Sequence, residues 1–420
     1  MQVNMFDLVK GFSSVVDLVN NTLGSHHQRV GWLTFQLGRM LGLEKNEKEL
    51  VIAAMLHDLG VIPLHDQIDD LVFEKNMFRH SEAGWLLLRI CPLLREEARL
   101  VRYHHTAWKN IEQLPDEEQD AARLANLIYL ADTVDVQTRT HKNNTVDSLK
   151  RLLNSQQASL FWPLAVEAML ELVSGQNFLE NLTHRCREIE LKNTDGLMLS
   201  AEQVSSFSAL FSQVIDSRSH FTATHSSGVA HLGLFLHSLA GLPAEDRQTM
   251  YIAGLLHDIG KLGVPLQYIE KPGALTSEEF QAVSRHAFLS YEILGKIRGF
   301  EQVAPWGAWH HERMNGKGYP NGIENGGLPL ESRIMAVADV MTALTEDRPY
   351  RKGLDADATL AIIDQMVMEG SLDGEVVSLI HKDYHDVNET RRRAQKAATI
   401  IFKGLTRDIM NAVEPDYNEA

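Results

Sequence analysis

The chain has 420 residues, and 40 Lys and Arg against 56 Asp and Glu leave a formal charge of −16. A pI near 5.6 argues against broad electrostatic binding to long nucleic acid or to an anionic membrane, since both need a large basic surface. With 44% hydrophobic and 23% charged residues, neither disorder nor a membrane bundle fits, and the length predicts two domains, each able to bury a core. Two cysteines, Cys91 and Cys186, are too few for a disulfide framework and point to a reducing compartment. Histidine, with 19 copies, is the unusual residue.

The opening MQVNMFDLVKGFSSVVDLVNNTLG carries a lone Lys10 and alternates apolar with polar residues at helical spacing, unlike a signal peptide. No apolar run approaches the ~18 residues of a membrane span, so a cytoplasmic protein is expected. After His26, Val30, Leu33, Leu37 and Leu41 recur at helical spacing. Between residues 186 and 200 the segment EIELKNTDGLMLS is polar and interrupts this periodicity, which predicts a boundary between a 1–190 domain and a 195–420 domain. Ser200 with Gln203, and Thr276 with Glu279, read as capping boxes that open helices. The helical pattern returns after His225 with Val229, Leu232, Leu236 and Leu239. Period-two alternation is scarce throughout, and the predicted fold class is all-α. Turn residues concentrate in MNGKGYPNGIENGGLP, from Met314 to Pro329, and a glycine-dense loop in a helical protein usually serves a site.

The chain carries an internal repeat. VIAAMLHDLG at 51–60 matches YIAGLLHDIG at 251–260. In the same order His26 matches His225, His80 matches His286, His104 and His105 match His310 and His311, and Asp132 matches Asp339. The helical domain is therefore duplicated, and each half presents the series His, His-Asp, His, His-His, Asp. Ten of the 19 histidines fall in these two sets, which favours metal binding over satisfied core histidines. Imidazole and carboxylate donors without thiolate suit Mn, Fe, Co, Ni or Zn. Seven donors exceed one metal ion with open positions, so a pair is the economical reading. The aspartate beside the histidine is placed to bridge, one oxygen to each ion. Two ions about 3.5–4 Å apart can hold a hydroxide at neutral pH and stabilise attacking and leaving oxygens of an in-line phosphoryl displacement.

HDIGK at 257–261, HHERMNGKGYP at 310–320 and ADVMTALTEDRPYR at 338–351 resemble the HD-GYP family, the branch of the HD superfamily that hydrolyses cyclic dinucleotides. The resemblance covers about residues 200–400, and the first half resembles a plainer HD domain. It implies one metal held by His225, His257, Asp258 and Asp339, and a second by Asp258, His286, His310 and His311. It also implies that Lys261 lies near the scissile phosphate, that Arg348 and Arg351 contact substrate, and that the loop ending Gly318, Tyr319, Pro320 borders the site. Two departures stand out: Phe221 occupies a position where some members carry a glutamate ligand for a third metal, and Asn315 replaces the family's usual aspartate. The first half keeps His26, His57, Asp58, His80, His104, His105 and Asp132. It has Val61 in place of Lys261 and lacks the glycine-rich loop, so it is expected to be an auxiliary, metal-competent domain.

The expected activity is metal-dependent hydrolysis of a 3′–5′ phosphodiester in a cyclic dinucleotide, giving a linear dinucleotide. The hybrid 3′,3′-cGAMP is placed ahead of c-di-GMP because free-standing family members with an N-terminal HD half resemble phosphodiesterases of the hybrid. Neither long nucleic acid nor membrane is expected as a partner, and a homodimer is the assembly considered. The rivals are a di-iron oxygenase of HD-type fold and a non-catalytic nucleotide-sensing module.

Overall fold

The computed structural model describes residues 1–19, 24–64, 78–140, 146–184, 186, 188–189, 191, 197–218, 224–324, 326–347 and 352–413. The chain divides into two units. One comprises Leu8–Leu197 with Arg407–Ala420, the other Met1–Asp7 with Met198–Thr406. Both units are helical, as the periodicity predicts. The described residues add one small antiparallel pair in the second unit, Val3 opposite Leu199 and Asn4 opposite Met198. Among the described residues no helix is long and apolar enough to cross a membrane.

Each unit repeats one order of helices. In the first they are His26–Met40, Glu47–Leu56, Phe78–Leu88, Arg95–Tyr103 and Asp116–Thr140. In the second they are His225–Leu239, Arg247–Leu256, Ser277–Leu294, Val303–Ala308 and Leu330–Thr345. The second continues through Ala356–Met368, Gly374–Lys382 and the helix Tyr384–Val413 as far as Thr406. Both capping boxes form: Ser200 and Thr276 accept from the backbone of Gln203 and Glu279, whose side chains reach back to the capping residues.

The apolar stripes supply the cores. Val30, Leu33 and Leu37, and likewise Val229, Leu232 and Leu236, are fully buried, each contributing about 1.5–3 kcal/mol. The stripes end sooner than their spacing implies. Leu41 is half-buried and Leu239 is 41% exposed. Both sit where the helix stops, just before the left-handed glycines Gly42 and Gly241, so no following turn covers them.

One close approach recurs in both units and positions the site. A Cβ on Gly260 would lie 2.1 Å from the His286 carbonyl oxygen, and one on Gly60 would lie 2.0 Å from that of His80. The glycine of each HD-x-G stretch thus lets the following histidine-bearing helix rest directly on the HD turn. Gly260→Ala should destabilise the protein by about 3 kcal/mol, because backbone rather than a flexible side chain must move. Gly404→Ala is the control, since a Cβ there meets nothing within 4 Å. Thermal unfolding should show a lowered midpoint for the first variant and an unchanged or raised one for the second.

Candidate metal centre

The second unit gathers its seven predicted donors at one place. His225 opens its helix, His257 and Asp258 follow Arg247–Leu256, and His286 lies within Ser277–Leu294. His310 and His311 follow Val303–Ala308, and Asp339 lies on Leu330–Thr345. Every one of these except His311 is buried. His225, His257 and Asp339 present ligand atoms within 4.8 Å of one another, as do His257, Asp258 and His310, and as do His286, His310 and His311.

Local hydrogen bonds aim the imidazoles. The Nδ1–H groups of His257, His286 and His310 donate to the carbonyls of Gly254, Val283 and Gly307, at 2.8, 2.6 and 2.8 Å. A carbonyl only accepts, so Nδ1 carries the proton and Nε2 turns its lone pair inward. Asp258 receives them on both sides. Its Oδ1 lies 3.3 Å from His286 Nε2 and 3.6 Å from His310 Nε2, while its Oδ2 lies 3.1 Å from His257 Nε2 and is ion-paired with Lys261. His257 Nε2 and Asp258 Oδ1 have no hydrogen-bond partner among the described residues although both are buried. Buried lone pairs without a partner are costly, and a divalent ion would satisfy both. The residues therefore fit a divalent metal, with Asp258 presenting an oxygen to histidines on each side.

The electrostatics agree. Burial alone would raise the Asp258 carboxyl, but His257, Lys261 and His286 hold it well below the usual range. Burial lowers His286 to about 4, and burial with the neighbouring His257 lowers His310 to about 3. Both are neutral imidazoles at physiological pH. His225 behaves oppositely: burial disfavours its charge, yet Glu346 and Asp339 raise it to about 10. Burial likewise opposes the charge on Lys261, but Asp258 holds it above its ordinary value, so it stays cationic.

The first unit reproduces the arrangement. Asp58 Oδ2 lies 3.2 Å from His57 Nε2 and 3.7 Å from His26 Nε2, and Oδ1 lies 3.5 Å from His80 Nε2 and 3.9 Å from His104 Nε2. His105 Nε2 is 3.0 Å from His80 Nε2, and Asp132 Oδ1 is 3.4 Å from His26 Nε2. The Nδ1–H groups of His57 and His104 donate to Ala54 and Val101, the same device. Val61, 1% exposed, replaces Lys261.

Two family models, both described as HD domain, match residues 23–137 and 209–376. The chain is 32% identical to 3'3'-cGAMP-specific phosphodiesterase 1 of Vibrio cholerae, over 89% of this chain and 90% of that protein. The chain belongs to the HD-GYP family. It is also 26% identical to 3'3'-cGAMP-specific phosphodiesterase 3 of V. cholerae, over 90% of this chain and 94% of that one. A crystal structure of a cyclic GMP-AMP specific phosphodiesterase of V. cholerae matches with a TM-score of 0.65 at 24% identity, covering 91% of this chain and 98% of that chain, a likeness of fold.

In this HD-GYP chain the Tyr319 ring lies 4.7 Å from that of His311. Arg348, Arg351 and Phe221 lie outside the described residues. Asn315 holds the loop: its amide donates to the Glu369 carbonyl at 3.0 Å, which an aspartate could not do. The sequence reading missed Glu346, which accepts from His225 Nδ1 at 3.2 Å, and its counterpart Asp135, which accepts from His26 Nδ1 at 2.8 Å and pairs with Arg29. It also missed Glu312, whose carboxylate accepts from the backbone of Asn321 and Ile323 and folds the GYP loop. Glu312 and Glu346 both sat inside quoted motifs, but adjacency in a motif gives no direction for a side chain.

Metal binding should release the His225 proton. Below pH 10 the affinity of the second-unit centre should rise about tenfold per pH unit, with His286 and His310 adding no slope above pH 5. Chelator-buffered Mn²⁺ titrations at pH 6, 7 and 8 measure this. A flat profile would mean that His225 is already neutral.

Proposed function

We propose that the 195–420 half is a phosphodiesterase acting on a 3′–5′ linkage of a cyclic dinucleotide, 3′,3′-cGAMP ahead of c-di-GMP, releasing a linear dinucleotide. The observation that carries this reading is Asp258. Its two oxygens face two separate histidine groups, and one of them also carries the cation of Lys261. Two divalent ions of Fe, Mn, Ni, Co or Zn bound there would activate water and neutralise phosphoryl charge.

The chain's own residues do the rest. Asp258, with His257, His286 and His310 oriented by carbonyls, fixes the separation of the two sets of donors. Lys261, its side chain 23% exposed and cationic, is positioned to move from Asp258 to a non-bridging phosphate oxygen as charge develops. An anion-directed cation supports phosphate chemistry over oxygenation of a neutral substrate. Tyr319 and the loop folded by Glu312 wall the part-exposed His311 side, where a substrate can enter. Arg348 and Arg351 join this reading as substrate contacts on their motif position. The choice of the hybrid dinucleotide is supported by the printed names of the two relatives that align over nearly all of this chain. Cys91 and Cys186, both buried and not joined in a disulfide, are consistent with a cytoplasmic location.

Purified protein loaded with Mn²⁺ or Fe²⁺ should turn over 3′,3′-cGAMP faster than c-di-GMP, with products resolved by chromatography. Cleavage of c-di-GMP alone would overturn the substrate choice. Asp258→Ala should abolish turnover, and hydrolysis at the parental rate would sink the site. Lys261→Met should lower kcat by about 10²–10³ while metal content measured by mass spectrometry stays constant.

A further inference from the structure

The two units differ at one buried position beside the first histidine of each set. In the second unit the residue after His225 is Ser226, whose hydroxyl donates to Asp216 Oδ1 at 2.7 Å. In the first unit the residue after His26 is His27, and the aspartate matching Asp216 is Asp17. His27 is 1% exposed. Its Nδ1–H donates to Asp17 Oδ1 at 2.6 Å, and its backbone N–H donates to the same oxygen at 3.2 Å. A buried carboxylate that accepts at Nδ1 leaves the lone pair on Nε2. That Nε2 lies 3.8 Å from Asp58 Oδ2 and has no hydrogen-bond partner among the described residues. The His27 ring centroid is 5.2 Å from that of His57 and 5.1 Å from that of His26, so it stands within the donor cluster and not behind it.

A second difference faces the same oxygen. In the second unit Asp258 Oδ2 is engaged by Lys261, a flexible cation that can leave when a phosphate arrives. In the first unit the lysine position is Val61, and Asp58 Oδ2 faces imidazole nitrogens from His26, His27 and His57. One exchange removes the movable cation and the other adds a fixed donor. His105 is 8% exposed, whereas its counterpart His311 is part-exposed.

We propose that His27 is a fifth protein ligand, with His26, His57, Asp58 and Asp132, to a divalent transition metal in the first unit, and that it closes this centre where the second unit keeps a position open. Metal centres filled by protein ligands are structural, while hydrolytic ones keep a site for water or substrate. The first unit would then hold metal as a folding element and carry out no hydrolysis. This inference concerns the first unit and does not rest on the activity of the second.

The test uses the full chain and Co²⁺. With the second centre disabled by His257→Ala and Asp258→Ala, the protein should still retain Co²⁺ after dialysis. Adding His27→Ser, which installs the serine found at Ser226, should weaken Co²⁺ binding by at least about tenfold, the lower limit seen for loss of even an outer-sphere partner. It should also shift the visible d–d absorption. His27→Cys in the otherwise unaltered chain gives an independent positive readout. A thiolate bound to Co²⁺ adds a near-ultraviolet charge-transfer band, read against the same chain with His27. Failure of the doubly substituted protein to retain Co²⁺ while folded, unchanged affinity and spectrum in His27→Ser, or no new band in His27→Cys would each overturn the proposal.

Discussion

The structure depends on a buried carboxylate shared between two groups of imidazoles. Asp258 is 3% exposed, and Lys261 pairs with one of its oxygens while imidazole nitrogens approach both, an arrangement that a bound cation would complete. The HD turn delivers it there: the preceding helix ends at Leu256, His257 caps it, and the next residue is Asp258, whose Oδ2 meets the His257 ring. Gly260 lets the Ser277–Leu294 helix lie on that turn, which brings His286 against Oδ1. The same construction around Gly60 and Asp58 explains why the HD and glycine positions match between halves while much of the surrounding sequence does not.

A second device is repeated five times. His57, His104, His257, His286 and His310 each donate Nδ1–H to the carbonyl three residues earlier. The bond uses a helix-end or helix carbonyl, fixes the tautomer and turns Nε2 toward the centre before any metal arrives. His26 and His225 begin their helices. They borrow a carboxylate from elsewhere in their unit, Asp135 in one and Glu346 in the other. The orienting acid lies three residues after Asp132 in one half and seven after Asp339 in the other.

The halves differ in electrostatics as well as in ligands. Burial raises Asp132 despite His57 and His26, whereas Asp339, buried too, is held well below the usual range by His225, His310 and His311. His26 gives its shortest bond to Asp135, leaving Asp132 less compensated than Asp339, which receives His225 at 3.1 Å. The net charge of −16 also changes meaning. Asp17, Asp58, Asp135, Asp216, Asp258, Glu312 and Glu346 are all under 9% exposed, so part of the acidity is internal scaffolding. A small dinucleotide need only meet local cations, even though long polyanions meet an acidic surface.

The sequence by itself determined the helical class, the duplication and the seven-donor order in each half. Those follow from periodicity and from residue types that few other chemistries require together. The capping boxes of Ser200 and Thr276 were legible for the same reason, since partner and cap lie three residues apart. Only the tertiary structure decided which oxygen of Asp258 faces which histidine, that Glu346 and Asp135 orient the first ligands, that Asn315 anchors its loop, and that His27 turns into the first centre. Apart from the neighbouring His257–Asp258 pair, these contacts join residues from about ten to more than a hundred positions apart, and their directions depend on how helices pack. Spacing along a chain records which side chains share a helix face. It does not record what that face meets.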